Sequence, residues 1–198
     1  MMRIGIMGGT FNPPHNGHLH AAQQAVKALQ FDRLLLIPDN IPPHKTMPER
    51  SATSMQRLEM TRCMAEEIPH AQVTDMELTR GGRSYTVDTL RRLKETYPDS
   101  ILYFIMGTDM LLTLDKWREP EVICRLATLA VIARDEADRT AIAHKAAWLK
   151  DKWQARVEIV DCPALTISST EVRADRQRCR DMVPAEIFAY IEQQKLYF

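Results

Sequence analysis

Short apolar segments alternate with amphipathic segments along almost the whole chain. Apolar runs bounded by turn-forming residues indicate buried strands, and apolar positions three or four residues apart indicate helices. Strands are predicted at Arg3–Met7, Leu34–Ile37, Ile101–Met106, Thr128–Ala133 and Val157–Val160, and Ala71–Leu78 is predicted to be extended. Helices are predicted at Gly17–Leu29, Ser54–Glu67, Thr86–Tyr97, Asp138–Lys150, Thr170–Cys179 and Pro184–Gln194.

Strands separated by helices of about 10–15 residues favour right-handed crossovers and a parallel sheet. We therefore expect an α/β fold, a Rossmann-like doubly wound parallel sheet of about five strands with flanking helices. No repeat or linker divides the sequence, so residues 1–198 are predicted to form a single domain with a small C-terminal helical segment at 168–198. Ligands of such sheets bind at the carboxyl ends of the strands, where the predicted loops Gly8–His18 and Gly107–Asp109 belong.

The composition limits the partners of the chain. A hydrophobic fraction of 45% in 198 residues is enough for a sizeable core, and 26 basic side chains balance 26 acidic ones. Because no net charge attracts polyanions, we expect no nucleic-acid partner and no membrane partner. No apolar run approaches the ~18 residues of a membrane span, and the N-terminus lacks the pattern of a signal peptide. The scattered cysteines are predicted to be free thiols of a cytoplasmic protein: Cys63, Cys124, Cys162 and Cys179.

The loop after the first strand contains two histidines in the sequence His15-Asn16-Gly17-His18. It matches neither GxxxxGK[ST] nor GxGxxG, which argues against a P-loop kinase and an ordinary dinucleotide oxidoreductase. If Asn16 caps a helix, Gly17 and His18 lie in its first turn, where free N–H groups and the helix dipole attract phosphate. Two imidazoles can also donate hydrogen bonds to phosphate oxygens. The alternative is a pair of ordinary loop histidines.

A second polar motif, Ser168-Ser169-Thr170-Glu171-Val172-Arg173, lies near the C-terminus. A Ser or Thr cap would start a helix with free N–H groups, and Arg173 would lie one turn further along. Its planar guanidinium can bind two phosphate oxygens at once. The alternative is an ordinary helix cap with a solvated arginine.

The two motifs, read as HxGH and SxTxxR, resemble the signature of the nucleotidyl transferase superfamily. Over nearly the whole chain the sequence is most similar to bacterial nicotinate-nucleotide adenylyltransferases. Two positions depart from that pattern, since Asn12 stands where Asp is more frequent and Arg118 where Tyr is common. The segments that carry the resemblance are Gly8–Phe11, Pro38–Asn40, Pro42–Lys45, Ser84–Leu90, Gly107–Asp109, Trp117, Arg134, and the tail residues Val183, Pro184, Tyr190, Ile191, Leu196 and Tyr197.

The resemblance implies an enzyme of NAD biosynthesis that transfers the adenylyl group of ATP to nicotinate mononucleotide. Deamido-NAD and pyrophosphate would form by direct in-line displacement, with Mg²⁺ carried on the ATP phosphates and no metal-binding residues of the protein. The implied catalytic residues are His15, His18 and Arg173, and the C-terminal segment would complete the ATP site. The implied ATP-binding residues are Gly8, Gly9, Thr10, Phe11, His15, His18, Arg134, Ser168, Ser169, Thr170 and Arg173.

The acceptor would be bound by residues that follow other strands: Asn40, Lys45, Thr86, Asp109 and Trp117. An indole face can stack on a pyridinium ring, and a helix N-terminus at Thr86 suits a carboxylate. Three other functions stay open at this point. The acceptor could be nicotinamide mononucleotide or phosphopantetheine, or the chain could be a nucleotide-binding sensor without turnover. Whether the chain forms a homo-oligomer is also open.

Overall fold

The structure, a computed structural model, describes residues 1–43, 46–163, 165 and 167–198. Its strands are β1 (Arg3–Gly9), β2 (Arg33–Pro38), β3 (Ala71–Val73), β4 (Ile101–Gly107), β5 (Ala127–Ala133) and β6 (Val157–Asp161). Its helices are α1 (Asn16–Leu29), α2 (Ser54–Glu66), α3 (Met76–Arg80), α4 (Thr86–Thr96), α5 (Thr108–Leu112), α6 (Pro120–Leu126), α7 (Glu136–Trp153), α8 (Ser169–Ala174), α9 (Arg176–Met182) and α10 (Ala185–Gln193), with a 3-10 helix at Leu114–Lys116.

The strands form one six-stranded sheet in the order β3-β2-β1-β4-β5-β6. Strand β1 runs parallel to β4, β4 to β5, and β5 to β6. This is the strand order of a doubly wound sheet, in which the direction of winding reverses between β1 and β4. The predicted fold class is confirmed, with six strands instead of about five. The loop that carries the histidines follows the carboxyl end of β1, as expected.

The chain divides into two compact units. The first unit comprises residues 1–7, 24–35 and 85–164, and its core is built on β4 and β5. All seven residues of β5 are buried. Gly5 in β1 has a packing role, because a Cβ at this position would lie 2.5 Å from the Phe31 ring. The prediction of a single domain stays a prediction.

The second unit comprises residues 8–23, 36–84 and 165–198. Helix α2 begins with a capping box, in which Thr53 and Gln56 satisfy each other's backbone N–H groups. Its buried side includes Leu58, Met60 and Met64, and α10 packs against it. Helix α8 begins with a second capping box, formed by Ser168 and Glu171. The predicted Ser cap of the C-terminal motif is therefore confirmed.

Several predicted elements have different boundaries in the structure: the helix predicted at Asp138–Lys150 extends from Glu136 to Trp153, and α6 has no predicted counterpart. Ala71–Leu78 is extended only to Val73, and its second half belongs to the short helix α3. Gly107–Asp109 is not a loop, because α5 begins at Thr108 directly after β4. The helix predicted at Thr170–Cys179 is two helices, since Asp175 leaves the helical conformation and its side chain caps α9. Elements of five to seven residues have too few turns for a hydrophobic period to define them.

The state of the cysteines agrees with a further expectation. All four cysteines are free thiols, and three of them are buried. No helix in the described part of the chain is both long and apolar enough to cross a membrane.

Candidate active site

The second unit contains a cavity of about 520 Å³. Its wall is formed by the loop after β1, by residues 46–48 and by the segment that enters α8. The cavity brings together most of the residues predicted for ATP binding, among them both histidines and Arg173. Gly8, Gly9 and Arg134 are not in its lining. The lining residues are Thr10, Phe11, Asn12, His15, His18, Thr46, Met47, Pro48, Ile167, Ser168, Ser169, Thr170 and Arg173.

The first turn of α1 positions both histidines. The N–H of Leu19 donates to the His15 carbonyl at 3.1 Å, so His15 is the N-cap residue of this helix. The N–H of His15 in turn donates to Nδ1 of His18 at 3.3 Å, and the two ring centroids are 3.8 Å apart. The expectation that Asn16 caps this helix is wrong by one residue, because Asn16 is the first helical residue and its side chain donates to the Asp181 carbonyl.

The hydrogen bonds of the two rings determine which nitrogen can face a ligand. Burial lowers the pKa of His15 to about 4, although Glu171 opposes the shift, so this imidazole is neutral at pH 7. Its Nδ1 is buried and has no partner in the described part of the chain, which favours the tautomer with the proton on Nε2. Nδ1 of His18 accepts a hydrogen bond, so neutral His18 also carries its proton on Nε2. Both rings can therefore present an Nε2–H donor.

Gly17 leaves room for the ring of His15 beside the helix. A Cβ at position 17 would lie 3.0 Å from Cε1 and Nδ1 of His15. Any other residue would press on that ring and move it. Phe11 supports the arrangement from the other side, since its ring meets that of His18 edge to face at 5.2 Å. The spacing of the HxGH motif therefore has a steric reason.

Arg173 reaches the same cavity from α8. Its Nη1 donates to the main-chain carbonyl of Asn12 at 2.6 Å, and its Nη2 donates to Oγ1 of Thr170 at 3.2 Å. Ser169 Oγ donates to the Pro13 carbonyl at 2.9 Å, which joins α8 to the loop a second time. A guanidinium, several hydroxyls and two imidazole donors around one cavity suit a polyanion such as a polyphosphate.

A buried ion pair behind this loop is a feature that the sequence patterns did not reveal. The Arg57 side chain is 2% exposed, and its Nη1 contacts Oδ1 of Asp39 at 3.1 Å. The same nitrogen donates to the Thr10 carbonyl at 2.7 Å, and Nη2 donates to the Asn40 carbonyl at 3.2 Å. Oδ2 of Asp39 accepts from the Thr10 hydroxyl at 2.7 Å. The pair thus fixes the backbone at Thr10 and at Asn40, and no local motif links residues 39 and 57.

One residue predicted for acceptor binding, Asn40, belongs to the second unit. Asn40 is held by its neighbours, since its N–H donates to Ser84 Oγ at 2.9 Å and its Nδ2 donates to the Gly82 carbonyl at 3.1 Å. Lys45 lies outside the described residues. The assignment of both to the acceptor stays a prediction.

Two predicted residues of the first unit, Arg134 and Asp109, are exposed. Arg134 follows β5, and its Nε donates to Oδ2 of Asp138 at 2.8 Å. Its side chain is 49% exposed, and its Nη2 lies 3.9 Å from the carboxylate of Asp109, which is 86% exposed. The hydrogen bond to Asp138 raises the pKa of Arg134. The guanidinium is thus fully charged and close to solvent.

Thr86 and Trp117, also in the first unit, are the other two residues predicted for acceptor binding. Thr86 is the first residue of α4, and Tyr85 at the N-cap position provides no side-chain cap. Within this turn the Asp88 N–H donates to the Tyr85 carbonyl at 3.1 Å, and Asp88 is the acidic residue of the turn. Trp117 is half-buried after the 3-10 helix, and its ring meets Phe104 of β4 edge to face at 6.2 Å.

Comparison with known proteins identifies the family. The cytidylyltransferase-like family model matches residues 6–175. A probable nicotinate-nucleotide adenylyltransferase of Citrifermentans bemidjiense is 39% identical over 214 residues, which cover 99% of this chain and 98% of the relative. A Listeria monocytogenes protein described in the same words is 35% identical over 195 residues, covering 98% of this chain and 97% of the relative.

The fold is similar to that of a Plasmodium falciparum nicotinic acid mononucleotide adenylyltransferase whose structure was solved in complex with NaAD. The TM-score is 0.77 at 19% identity, and the match covers 100% of this chain and 98% of the other. That likeness extends to the architecture alone, and membership of the family follows from the sequence matches along the full length. The chain belongs to the cytidylyltransferase-like family and, within it, to the nicotinate-nucleotide adenylyltransferases.

Proposed function

We propose that this chain transfers the adenylyl group of ATP to nicotinate mononucleotide, with deamido-NAD and pyrophosphate as products. The observation that carries the proposal is the cavity in which His15, His18 and Arg173 converge on one space. Relatives at 35% and 39% identity along the full chain are described as probable nicotinate-nucleotide adenylyltransferases, which supports the choice of acceptor.

The reaction needs little chemistry from the side chains. The phosphate of the mononucleotide attacks the α-phosphorus of ATP in line, a P–O bond forms, and the bond to the leaving pyrophosphate breaks. Because the attacking phosphate is already ionised at neutral pH, no protein base or nucleophile is required. The residues orient the reactants and stabilise developing negative charge. The Nε2–H groups of His15 and His18 would donate to oxygens of the α- and β-phosphates, and Arg173 would bind the leaving pyrophosphate.

Magnesium enters this proposal as part of the substrate MgATP. Among the described residues no group of three or more His, Cys, Asp or Glu could hold a metal ion. The cavity wall offers hydroxyls, imidazoles and a guanidinium, which are poor ligands for Mg²⁺ compared with phosphate oxygens. The cation would therefore travel with the phosphates and keep part of its water shell.

Further residues are assigned to the acceptor and to the remaining ATP contacts. Trp117 would stack on the pyridine ring, and the first turn of α4 at Thr86 would receive the nicotinate carboxylate. Asn40 and Asp109 would bind the rest of the mononucleotide, with Lys45 on its phosphate. Arg134 would approach ATP with the N–H groups that Asp138 does not use.

One assay tests the proposed function against its alternatives. Pyrophosphate release from MgATP is measured with nicotinate mononucleotide, nicotinamide mononucleotide or phosphopantetheine as the only acceptor. We expect turnover with the first and at most weak turnover with the second. Preferred use of either other acceptor would contradict the proposal, and silence with all three would favour a nucleotide-binding sensor. A His18→Ala protein purified in parallel controls for contaminating activity.

A further inference from the structure

The C-terminal tail extends to the loop that forms the wall of the cavity. Helix α10 ends in a reversal in which the Leu196 N–H bonds to the Ile191 carbonyl at 3.0 Å and the Lys195 N–H to the Glu192 carbonyl at 3.2 Å. Lys195 has a φ of 50°, as the residue after a helix C-cap often does. This turn directs Tyr197 back toward the body of the second unit. Its hydroxyl donates to Oδ1 of Asn12 at 2.9 Å, across 185 positions of the chain.

The backbone of Tyr197 is held in an uncommon conformation. Its φ is 71°, in the left-handed region that an aromatic residue rarely adopts. Such a conformation costs free energy and persists where the surrounding contacts determine it. Burial also raises the pKa of Tyr197 well above its ordinary value, although Arg173 and Arg57 act in the opposite direction. The phenol is thus a protonated donor throughout the physiological pH range.

Asn12 is the acceptor of this bond, and every polar group of its side chain is used. The residue is 3% exposed. Its Oδ1 also accepts from the Ala52 N–H at 3.3 Å, and its Nδ2 donates to Ser51 Oγ at 3.0 Å. The Ser51 hydroxyl gives its own proton to the Pro48 carbonyl at 2.6 Å, so it can only accept from position 12. These partners require an amide at position 12 in this orientation.

Asn12 also contacts Arg173, which the proposed mechanism places on the leaving group. The hydrogen bond from Tyr197 to Asn12 is thereby connected to Arg173. The Asn12 carbonyl accepts from Nη1 of Arg173 at 2.6 Å. Asn12 and Arg173 both line the cavity, whereas Tyr197 is absent from the lining among the described residues. A displacement of the Asn12 side chain would turn this residue and move the carbonyl that orients the guanidinium. The contacts lead from Tyr197 to the site through the wall, by way of Asn12.

We propose that Tyr197 is a positioning residue of the nucleotide site: its hydroxyl fixes the Asn12 amide, and through Asn12 it fixes the carbonyl that orients Arg173. The role in turnover rests on the proposed function, but the role in nucleotide binding does not. The expectation that the C-terminal segment completes the ATP site then has a specific residue behind it, Tyr197.

The test compares Tyr197→Phe with Tyr190→Phe. Tyr190 lies in α10 and does not line the cavity, so its replacement also removes a tyrosine hydroxyl but away from the site. We expect Tyr197→Phe to lower kcat/KM for ATP and to weaken ATP binding, measured by calorimetry, by about three- to tenfold, the effect of one lost hydrogen bond. KM for the acceptor should stay unchanged. Tyr190→Phe should leave all three values as in the wild type. A merely structural role would lower the melting temperature of Tyr197→Phe and leave its ATP parameters unchanged, and this result would overturn the proposal.

A double-mutant cycle tests whether the effect passes through Asn12. In an Asn12→Ala background, Tyr197→Phe should cause no further loss of ATP affinity, because the acceptor of its bond is gone. Independent, additive losses would overturn the proposed route. If Asn12→Ala does not fold, the two Tyr→Phe variants still decide the question.

The outcomes also separate this inference from the proposed function. A wild-type protein that binds ATP without turnover would refute the function, and the ATP affinities of the variants would still decide the role of Tyr197. Equal affinities in the wild type and Tyr197→Phe would overturn the inference even if turnover is normal. A wild type that does not bind ATP would overturn both.

Discussion

Arg57 and Arg173 of the second unit make contacts of a different kind from those of Arg134 in the first unit. In the second unit Arg57 and Arg173 donate to main-chain carbonyls of Thr10, Asn40 and Asn12, and Arg57 is almost completely buried. In the first unit Arg134 bonds with the carboxylate of Asp138 while half of its side chain is exposed. Arg57 and Arg173 thus hold main-chain segments in place, whereas Arg134 joins two charges at the surface.

The difference shows which region has a fixed geometry and which can rearrange. A buried guanidinium bonded to carbonyls cannot be replaced by water without leaving polar groups unpaired, so it holds a loop in one conformation. An exposed ion pair competes with water and salt and contributes little to stability. The cavity of the second unit is therefore expected to be rigid. The exposed charges of the first unit can be rearranged at little cost, which suits side chains that meet a ligand late.

The largest effect on stability is expected for Arg57→Met. The variant leaves the Asp39 carboxylate buried without its partner, and such breaks cost about 3–5 kcal/mol in the free energy of unfolding. Urea denaturation at pH 7 measures it. Arg62→Met on the same helix is the matched control, because Arg62 is 53% exposed and its ion pair with Glu59 lies at the surface. A similar loss in both variants would show that burial of Arg57 is not what matters.

The next effect concerns turnover. We expect His18→Ala to lower kcat by about 10²-fold or more, the scale for one lost donor to developing charge. The variant also removes the acceptor of the His15 N–H, which should cost about 1 kcal/mol of stability. Steady-state pyrophosphate release and thermal melting measure the two effects. His20→Ala, two residues further along α1, is the control. A folded His18→Ala protein with near-normal kcat would remove His18 from the mechanism.

His15 should make the stability of the protein depend on pH. Its folded pKa of about 4 lies below the ordinary 6.5, so between these values the unfolded chain binds a proton that the folded chain does not. The stability that neutral His15 contributes is complete above pH 6.5 and is lost as the pH falls toward 4. The loss is at most on the order of 3 kcal/mol.

The measurement is the difference in unfolding free energy between the wild type and His15→Gln at a series of pH values, since other groups titrate in both proteins. As the pH falls from 6.5 to 4, the wild type should lose stability relative to His15→Gln. The same replacement at the exposed His144 serves as control. A pH-independent difference would mean that His15 is not buried in its neutral form.

The smallest effect on stability is expected for Arg134→Met. The exposed pair with Asp138 should be worth less than about 1 kcal/mol, and Asp138 keeps its bond from the Arg134 main-chain N–H at 3.0 Å. Urea denaturation measures the loss, and a value close to that of Arg57→Met would break the contrast between the two regions. If Arg134 also contacts ATP, KM for ATP rises although the stability does not change.

Prediction from the sequence worked best where the apolar pattern is long. The buried strands Ile101–Met106 and Thr128–Ala133 were placed within one residue of their observed ends, because continuous apolar runs can hardly be anything but central strands. It failed for α3 and α5, since helices of five residues have no measurable period. It also misplaced the cap of α1, which depends on a backbone bond to the His15 carbonyl.

By itself the sequence determined the α/β class, the two polar motifs and, through them, the family. These features are local, because strand and helix periods, caps and motif spacing are properties of neighbouring residues. Only the tertiary structure decided that Arg57 reaches Asp39 behind the loop, that His15 is neutral, and that Tyr197 bonds to Asn12 across the length of the chain. Each of these depends on burial and on contacts between distant segments, and the folded core alone determines which polar groups meet away from water.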